Sequence, residues 1–247
     1  MDNSSYVALS AATALRRDLD VTANNIANAS TNGFKGERVV FESYLQDGAT
    51  AEENTNFVID KGSYLDESQG GISQTGNPLD IAIQGKGWFG YRTAEGQMAF
   101  GRDGRLAVDA QGNLVTMTGA QILDEGGQPL VLPPDAVGQV EIDPQGNISA
   151  PGAGNLARIG LFDLPDLQSY ERLGGGMFIP PNGGEAELVP EVRSRVVQGA
   201  IEASNVQPIV EMTRMMSIQR AYEQAVKLIG TDDELRQQTI RRLGQIT

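Results

Sequence analysis

Two residue types that carry much of protein chemistry are missing from this chain. It holds no histidine and no cysteine in 247 residues. That removes the commonest general base, the commonest metal ligand, and every thiolate or disulfide. What remains for acid–base or cation chemistry is carboxylate: Asp103, Asp109, Asp124, Glu125 and Asp143. All sit in turn-like sequence beside glycine, where aspartate serves the backbone, and the spacing of a calcium-binding EF-hand is absent. Gly85-Lys86-Gly87-Trp88-Phe89-Gly90 has the letters of a dinucleotide fingerprint, but that motif needs its third glycine to open a helix. Here Trp88, Phe89 and Tyr91 continue as strand, so the glycines read as a hairpin turn. Gly174-Gly175-Gly176 lacks the Lys-Ser/Thr of a phosphate loop and reads as a flexible turn. With no base–nucleophile grouping, no catalytic, cofactor-binding or metal-binding residue is expected, and neither is an enzyme.

The other unusual polar group is amide. Asn24, Asn25 and Asn28 fall inside a helical pattern, although asparagine is a poor helix former because its side chain competes for backbone hydrogen bonds. Ala12, Leu15, Leu19, Ala23 and Ile26 recur at spacings of three and four, so the pattern predicts one helix over residues 1–33. Gly33 then supplies a left-handed stop. Three asparagines in five positions suggest either amides needed for contacts outside their own helix or a frayed polar face.

The elements around this helix follow from composition. Residues 34–74 change character: Phe34–Leu45 favours strand, and Gln46–Asn56 is small, polar and acidic. Val58-Ile59 and Tyr64-Leu65 flank a turn at Asp60–Gly62, which predicts a small hairpin, and Ser68–Gly76 reads as linker. Residues 77–197 show short apolar or alternating runs separated by glycine turns about every ten residues, the punctuation of an antiparallel sandwich or barrel-like all-β fold. Pro133-Pro134 and Pro180-Pro181 stop strands within it.

Residues 198–247 return to helix, with Ser204 or Asn205 as cap and Pro208 in the first turn. Met212, Met215, Tyr222, Val226 and Ile229 fit heptad a and d positions, with Gln219 the polar one. Gly230 could break this helix, with Thr231–Glu234 capping a second, or it could run on to about Leu243. The expectation is an α+β chain: an N-terminal helix in 1–35, an extended arm in 36–76, a β-rich domain in 77–197 and a C-terminal helix in 198–247. The terminal helices pack as an antiparallel, coiled-coil-like pair. Such a pair leaves apolar surface that neighbouring subunits would bury, which points to a polymer or ring.

Charge agrees with this division. The net charge is −13. Residues 1–35 hold three basic and three acidic residues, and residues 198–247 hold six of each. The middle keeps ten of the nineteen basic residues against twenty-three of the thirty-two acidic ones. Neutral ends suit packing and an acidic middle suits solvation. The same balance argues against nucleic acid, which asks for a basic footprint. No stretch approaches transmembrane length, and Met1–Ser5 lacks the basic start of a signal peptide, so neither membrane insertion nor a cleaved leader is expected.

The run Ala23-Asn24-Asn25-Ile26-Ala27-Asn28-Ala29-x-Thr31-x-Gly33-Phe34-Lys35 resembles the N-terminal signature of the bacterial flagellar rod and hook proteins. Thr75-Gly76-Asn77-Pro78-Leu79-Asp80-Ile81-Ala82-Ile83, running on to Gly85, Gly87, Trp88 and Phe89, resembles their central motif. Phe100–Gly104 with Gly112–Thr116 resembles the hairpin that follows. Gln198–Val206 with Gln219–Glu223 resembles their C-terminal signature. The matches keep their order over the whole chain. Length sets the chain apart from the longer hook subunits; Met1-Asp2 with Tyr6, Pro133-Pro134 and Asn147–Ala150 look most like the proximal rod members, with distal rod members the close rivals.

The resemblance implies a subunit of the flagellar drive shaft that leaves the cell by the flagellum's own type III export apparatus and assembles in the periplasm with other rod proteins. Its helices would line an inner tube and carry torque, with the β domain outside. Assembly contacts would then fall on Asn24, Asn25, Ile26, Asn28, Thr31, Gly33, Phe34, Ser204, Asn205, Val206, Met212, Met215 and Tyr222. The contrasting expectation is a secreted β-sandwich binding module, or a glycan-active protein, with helical ends.

Overall fold

The computed structural model describes residues 3–46, 55–133, 139–152, 154–181 and 187–243. The chain divides into two compact units. One is built from Met1–Ala27, Glu37–Tyr64 and Gln207–Thr247, the other from Asn28–Gly36 and Leu65–Val206.

The first unit is mostly helical. Helix α1 spans Asn3–Ala27 and helix α2 spans Pro208–Leu243. Ser5 hydrogen-bonds Asp232, and Arg214 Nη2 meets Asp18 Oδ1 at 3.0 Å further along. The two helices therefore lie side by side in opposite directions. α2 is unbroken at Gly230; the loss of about 1 kcal/mol for one glycine is too small to end a helix held along its length. Its start differs from expectation. Pro208 opens the helix, and the Glu211 N–H donates to the Gln207 carbonyl at 3.0 Å, so neither Ser204 nor Asn205 is the cap. Strands β1 (Glu37–Gln46) and β2 (Thr55–Leu65) pair as a two-stranded sheet, with β1 against α1. β2 runs straight through Asp60–Gly62, where a hairpin was expected. The pairing partner lies earlier in the chain, so the local turn residues are absorbed into strand. Part of the acidic run, residues 47–54, lies outside the described residues.

The second unit begins where α1 is expected to continue. Asn28–Asn32 form turns: the Thr31 N–H donates to the Asn28 carbonyl at 3.0 Å, and the Thr31 hydroxyl donates to Asn28 Oδ1 at 3.2 Å. The Asn-Ala-Ser-Thr-Asn composition offers side-chain bonds that compete with the helix ladder, and at this point they win. Gly33 takes a φ of +68°, left-handed as expected, six residues past the end of α1.

The rest of the unit is strand. In order come β3 (Ile72–Gln74), β4 (Ile81–Gln84), β5 (Trp88–Arg92), β6 (Met98–Gly101), β7 (Leu106–Val108), β8 (Leu114–Thr116) and β9 (Gln121–Ile122). Then follow β10 (Glu141–Ile142), β11 (Asn147–Ala150), β12 (Gly154–Arg158), β13 (Leu161–Asp163), β14 (Glu171–Leu173), β15 (Met177–Ile179), β16 (Val189–Pro190), β17 (Arg195–Gln198) and β18 (Ala200–Glu202). The largest sheet runs β14-β15-β6-β5-β9-β8-β7, with β13 on β5 and β16 on β13. Smaller sheets are β10-β11-β12, β17-β4 and β18-β3. The expected linker at Ser68–Gly76 therefore contains a strand: β3 pairs antiparallel with β18, Ala200 opposite Gln74. The Gly85–Gly87 turn is not a hairpin either, because β4 and β5 belong to different sheets.

The core follows the pattern of apolar residues. β5 is buried on both faces, as a central strand must be. Ile81, Ile83, Phe89, Tyr91, Leu114, Ile122 and Ile148 share one cluster; Trp88, Phe100, Phe162, Leu167 and Phe178 share a second. Phe100 meets Phe162 edge-on at 5.8 Å, and Trp88 meets Phe178 at 5.6 Å, the arrangement that aromatic quadrupoles favour.

Candidate assembly interface

The carboxylates singled out in the sequence are engaged by their own turns. Asp109 Oδ1 accepts the N–H groups of Gln111 and Asn113 at 2.8 Å each, and Oδ2 accepts the Asn113 amide at 2.7 Å. Asp143 repeats this with Gln145 and Asn147. In both, the side-chain amide is the leading cause that holds the carboxyl below the usual aspartate range. Asp124 caps Gly126 and Gln128. Asp103 takes a two-point bond from Arg105, and Glu125 meets Arg158 at 3.0 Å. These groups fix hairpins and offer no shared ligand site. Among the described residues no cluster of three or more metal-ligating side chains occurs.

The asparagines have divergent fates. Asn24 is exposed. Asn25 is buried, and its amide bridges to the main chain of β1: Nδ2 donates to the Glu37 carbonyl at 2.8 Å, and the Glu37 N–H donates to Oδ1 at 3.0 Å. It thus satisfies both polar groups of one strand residue. Thr22, Asp18, Ala14 and Ala12 are buried with it on α1. Of the expected stripe only Ala12 is fully buried; Leu15, Leu19 and Ile26 are half-buried and Ala23 is exposed. The buried face of α1 is therefore the small and polar one, because it must admit Arg214 to Asp18 and β1 to Asn25.

α2 shows the same rotation. Its buried line is Glu211, Ile218 and Ala225, seven residues apart, flanked by half-buried Met215, Tyr222 and Ile229. The d positions of the predicted seam, Met215, Tyr222 and Ile229, only flank this line, and its a positions, Met212, Gln219 and Val226, are exposed. Ile209 (80 % exposed), Val210, Met212 and Met216 in the first turns of the helix, and Leu228 (65 %) further along, are large apolar side chains left open to solvent, surface of the kind that a neighbouring chain buries.

In the second unit the N-terminal signature ends in a buried network that sequence reading passed over. Lys35 and Glu202 are fully buried, and Arg102 nearly so. Lys35 Nζ donates to Glu202 Oε1 at 2.6 Å and to the Ser68 carbonyl at 2.7 Å. Arg102 Nη1 reaches Glu202 Oε2 at 2.9 Å, and Nη2 reaches the Gly85 carbonyl at 2.7 Å. The Gly70 N–H donates to Glu202 Oε1 at 3.0 Å. Burial lowers the affinity of Lys35 for its proton, and the Glu202 carboxylate opposes that shift.

Phe34 is buried under the Arg172 guanidinium at 4.6 Å. Gly33 lies so close to Arg102 and Asp103 that a Cβ would stand 2.4 Å from backbone. Ser204, Asn205 and Val206 are half-buried, and Ser204 Oγ accepts the Val206 N–H at 3.2 Å. The Asn205 Oδ1 accepts the Gly36 N–H at 2.7 Å, and Nδ2 donates to the Asp66 carbonyl at 2.8 Å. A lysine after Gly-Phe and a glutamate before Ala-Ser-Asn were visible in the sequence, but nothing in their spacing, 167 positions apart, indicated that they meet.

The segments with this geometry are those that match known proteins. Residues 6–35 match the family described as flagella basal body rod protein, residues 82–150 the flagellar hook protein FlgE/F/G D1 domain, and residues 197–242 the flagellar basal body rod FlgEFG protein C-terminal family. The flagellar basal-body rod protein FlgF of Caulobacter vibrioides is 38 % identical over 100 % of both chains. The chain belongs to the flagellar basal-body rod protein family. Other relatives agree: the rod protein FlgF of Salmonella typhimurium is 32 % identical over 95 % of each chain. The rod protein FlgG of Buchnera aphidicola subsp. Schizaphis graminum is 31 % identical over 93 % of this chain and 94 % of its own. In this rod-family chain the N-terminal match covers both most of α1 and the Gly33–Lys35 anchor, and the C-terminal match covers β18, Asn205 and α2.

Proposed function

We infer that this chain is a structural, non-enzymatic subunit of the bacterial flagellar basal-body rod, and that it belongs to the proximal rod. The observation that carries the reading is the apolar surface of α2 at Ile209, Val210, Met212, Met216 and Leu228, on a segment matched to the rod-protein C-terminal family. Burial of such surface at about 25 cal/mol per Å² drives subunit association. α1 and α2 form a coiled-coil-like pair that polymerises with the helices of neighbouring rod proteins, lines the export channel and transmits torque. Asn24, the half-buried Leu15, Leu19 and Ile26, and Met212, Met215 and Tyr222 supply intersubunit contacts. Asn25, Gly33, Phe34 and Asn205 act within the subunit, setting the shape that assembles. The subunit travels through the flagellar type III export apparatus and reaches its place in the periplasm.

FlgF relatives match over the full chain at 32–38 % identity, which supports the proximal reading. The FlgG relative at 31 % keeps the distal rod as the second reading. The test is deletion of the gene in its motile host with tomography of the basal body. A rod cut short near the inner membrane, with loss of swimming, supports the proximal reading; a cut further out supports the distal one. A complete rod in swimming cells defeats both.

A further inference from the structure

Four peptide links join the two units: 27–28, 36–37, 64–65 and 206–207. Three of them continue from segments that one side chain ties together inside the second unit. The Asn205 Oδ1 accepts the Gly36 N–H at 2.7 Å. Its Nδ2 donates to the Asp66 carbonyl at 2.8 Å and to the Ser68 carbonyl and hydroxyl at 3.1 and 3.2 Å. Main-chain bonds close the set: the Asn205 N–H donates to the Phe34 carbonyl at 3.2 Å, and the Asp66 N–H donates to the Gly36 carbonyl at 2.8 Å. Behind it, Lys35 shares the Ser68 carbonyl and holds Glu202. The remaining link leads to Gly33, whose N–H donates to the Glu202 carbonyl at 2.8 Å.

We propose that Asn205 is the positioning residue of a mechanical clasp, which makes the chain segments entering the β unit bear load together. The proposal rests on the rod reading for its purpose, since only a torque-bearing subunit needs it. Segments tied side by side share a pull, and rupture requires several hydrogen bonds to fail at once. Untied, each segment peels in turn. Asparagine suits the position because one planar amide accepts from one segment while its two N–H groups donate to another. Aspartate would keep the Gly36 bond but set a carboxylate against the Asp66 and Ser68 carbonyls.

The test is single-molecule pulling of the full chain. Because the protein has no cysteine, handles can be placed at Lys227→Cys on α2 and Glu95→Cys in the β unit, both exposed. The parent chain is expected to open the β unit in one event. Asn205→Ala is expected to open it in two or more events at lower force. Asn147→Ala, which removes an equivalent amide from the Asp143 turn, is expected to keep the single event. Should Asn205→Ala fail to fold, Asn205→Ser is pulled in its place, since its single hydroxyl donor cannot serve Asp66 and Ser68 together. An unchanged single event at unchanged force in the Asn205 variant overturns the clasp. This readout needs no flagellum, so it stands apart from the gene deletion that tests the rod reading.

Discussion

Asn25 spends both ends of its amide on the main chain of Glu37, so Asn25→Ala leaves two backbone groups of β1 without that partner. At ~1–3 kcal/mol for an unmet buried group, a clear drop in denaturant midpoint is expected. The Lys35–Glu202 pair carries a larger penalty. Removing one partner strands a buried charge at about 3–5 kcal/mol, so Glu202→Gln should unfold the β unit at markedly lower urea. The pair also has a pH signature. Lys35 binds its proton less tightly when folded, so the unfolded chain takes up more protons on the alkaline side, just below the ordinary lysine range. Stability from this group should rise with pH there, and Lys35→Met should flatten that limb of the unfolding profile. Asp109 and Asp143 work in the other direction. Their lowered carboxyls stabilise the turns above the ordinary aspartate range, and this is lost as pH falls through the depressed values; Asn147→Ala should move the Asp143 carbon resonance titration back up.

Among the elements, α2 is a helix whose neighbours decide its limits. A Cβ at Gly230 would meet nothing within 4 Å, so Gly230→Ala should stabilise the helix by about 0.5–1 kcal/mol and raise helical circular dichroism. The segment Gly33–Gly36 behaves in the opposite way. Gly33 combines a φ of +68° with backbone 2.4 Å from any added Cβ, so Gly33→Ala should cost well over the ~1 kcal/mol of an ordinary glycine replacement, seen as loss of cooperative thermal unfolding. The two glycines look alike in sequence. One stands in open space and the other against the main chain of Arg102 and Asp103.

For the whole molecule, the exposed face of α2 separates folding from assembly. Ile209→Ser, Met212→Ser and Met216→Ser together should leave the melting temperature nearly unchanged, as surface changes usually do, and abolish rod incorporation and swimming; normal swimming would remove this face from the assembly. How far the sequence reveals the molecule depends on range. The helical ends, the strand-and-turn punctuation of the middle, the absence of histidine and cysteine chemistry and the family signature were all legible, because each is written in neighbouring residues or in residue counts. The end of α1 at Ala27, the passage of β2 through Asp60–Gly62, the pairing of β3 with β18 and the rotation of the helix seam toward Glu211 were not. Nor was the meeting of Lys35, Arg102, Glu202 and Asn205. Each of these is settled by a partner far along the chain, whose burial and hydrogen bonds outweigh propensity differences of about 1 kcal/mol. Periodicity states that a face is apolar; which face is buried, and which is left for a neighbour, is decided only when β1 and the second helix arrive with their own polar groups to be satisfied.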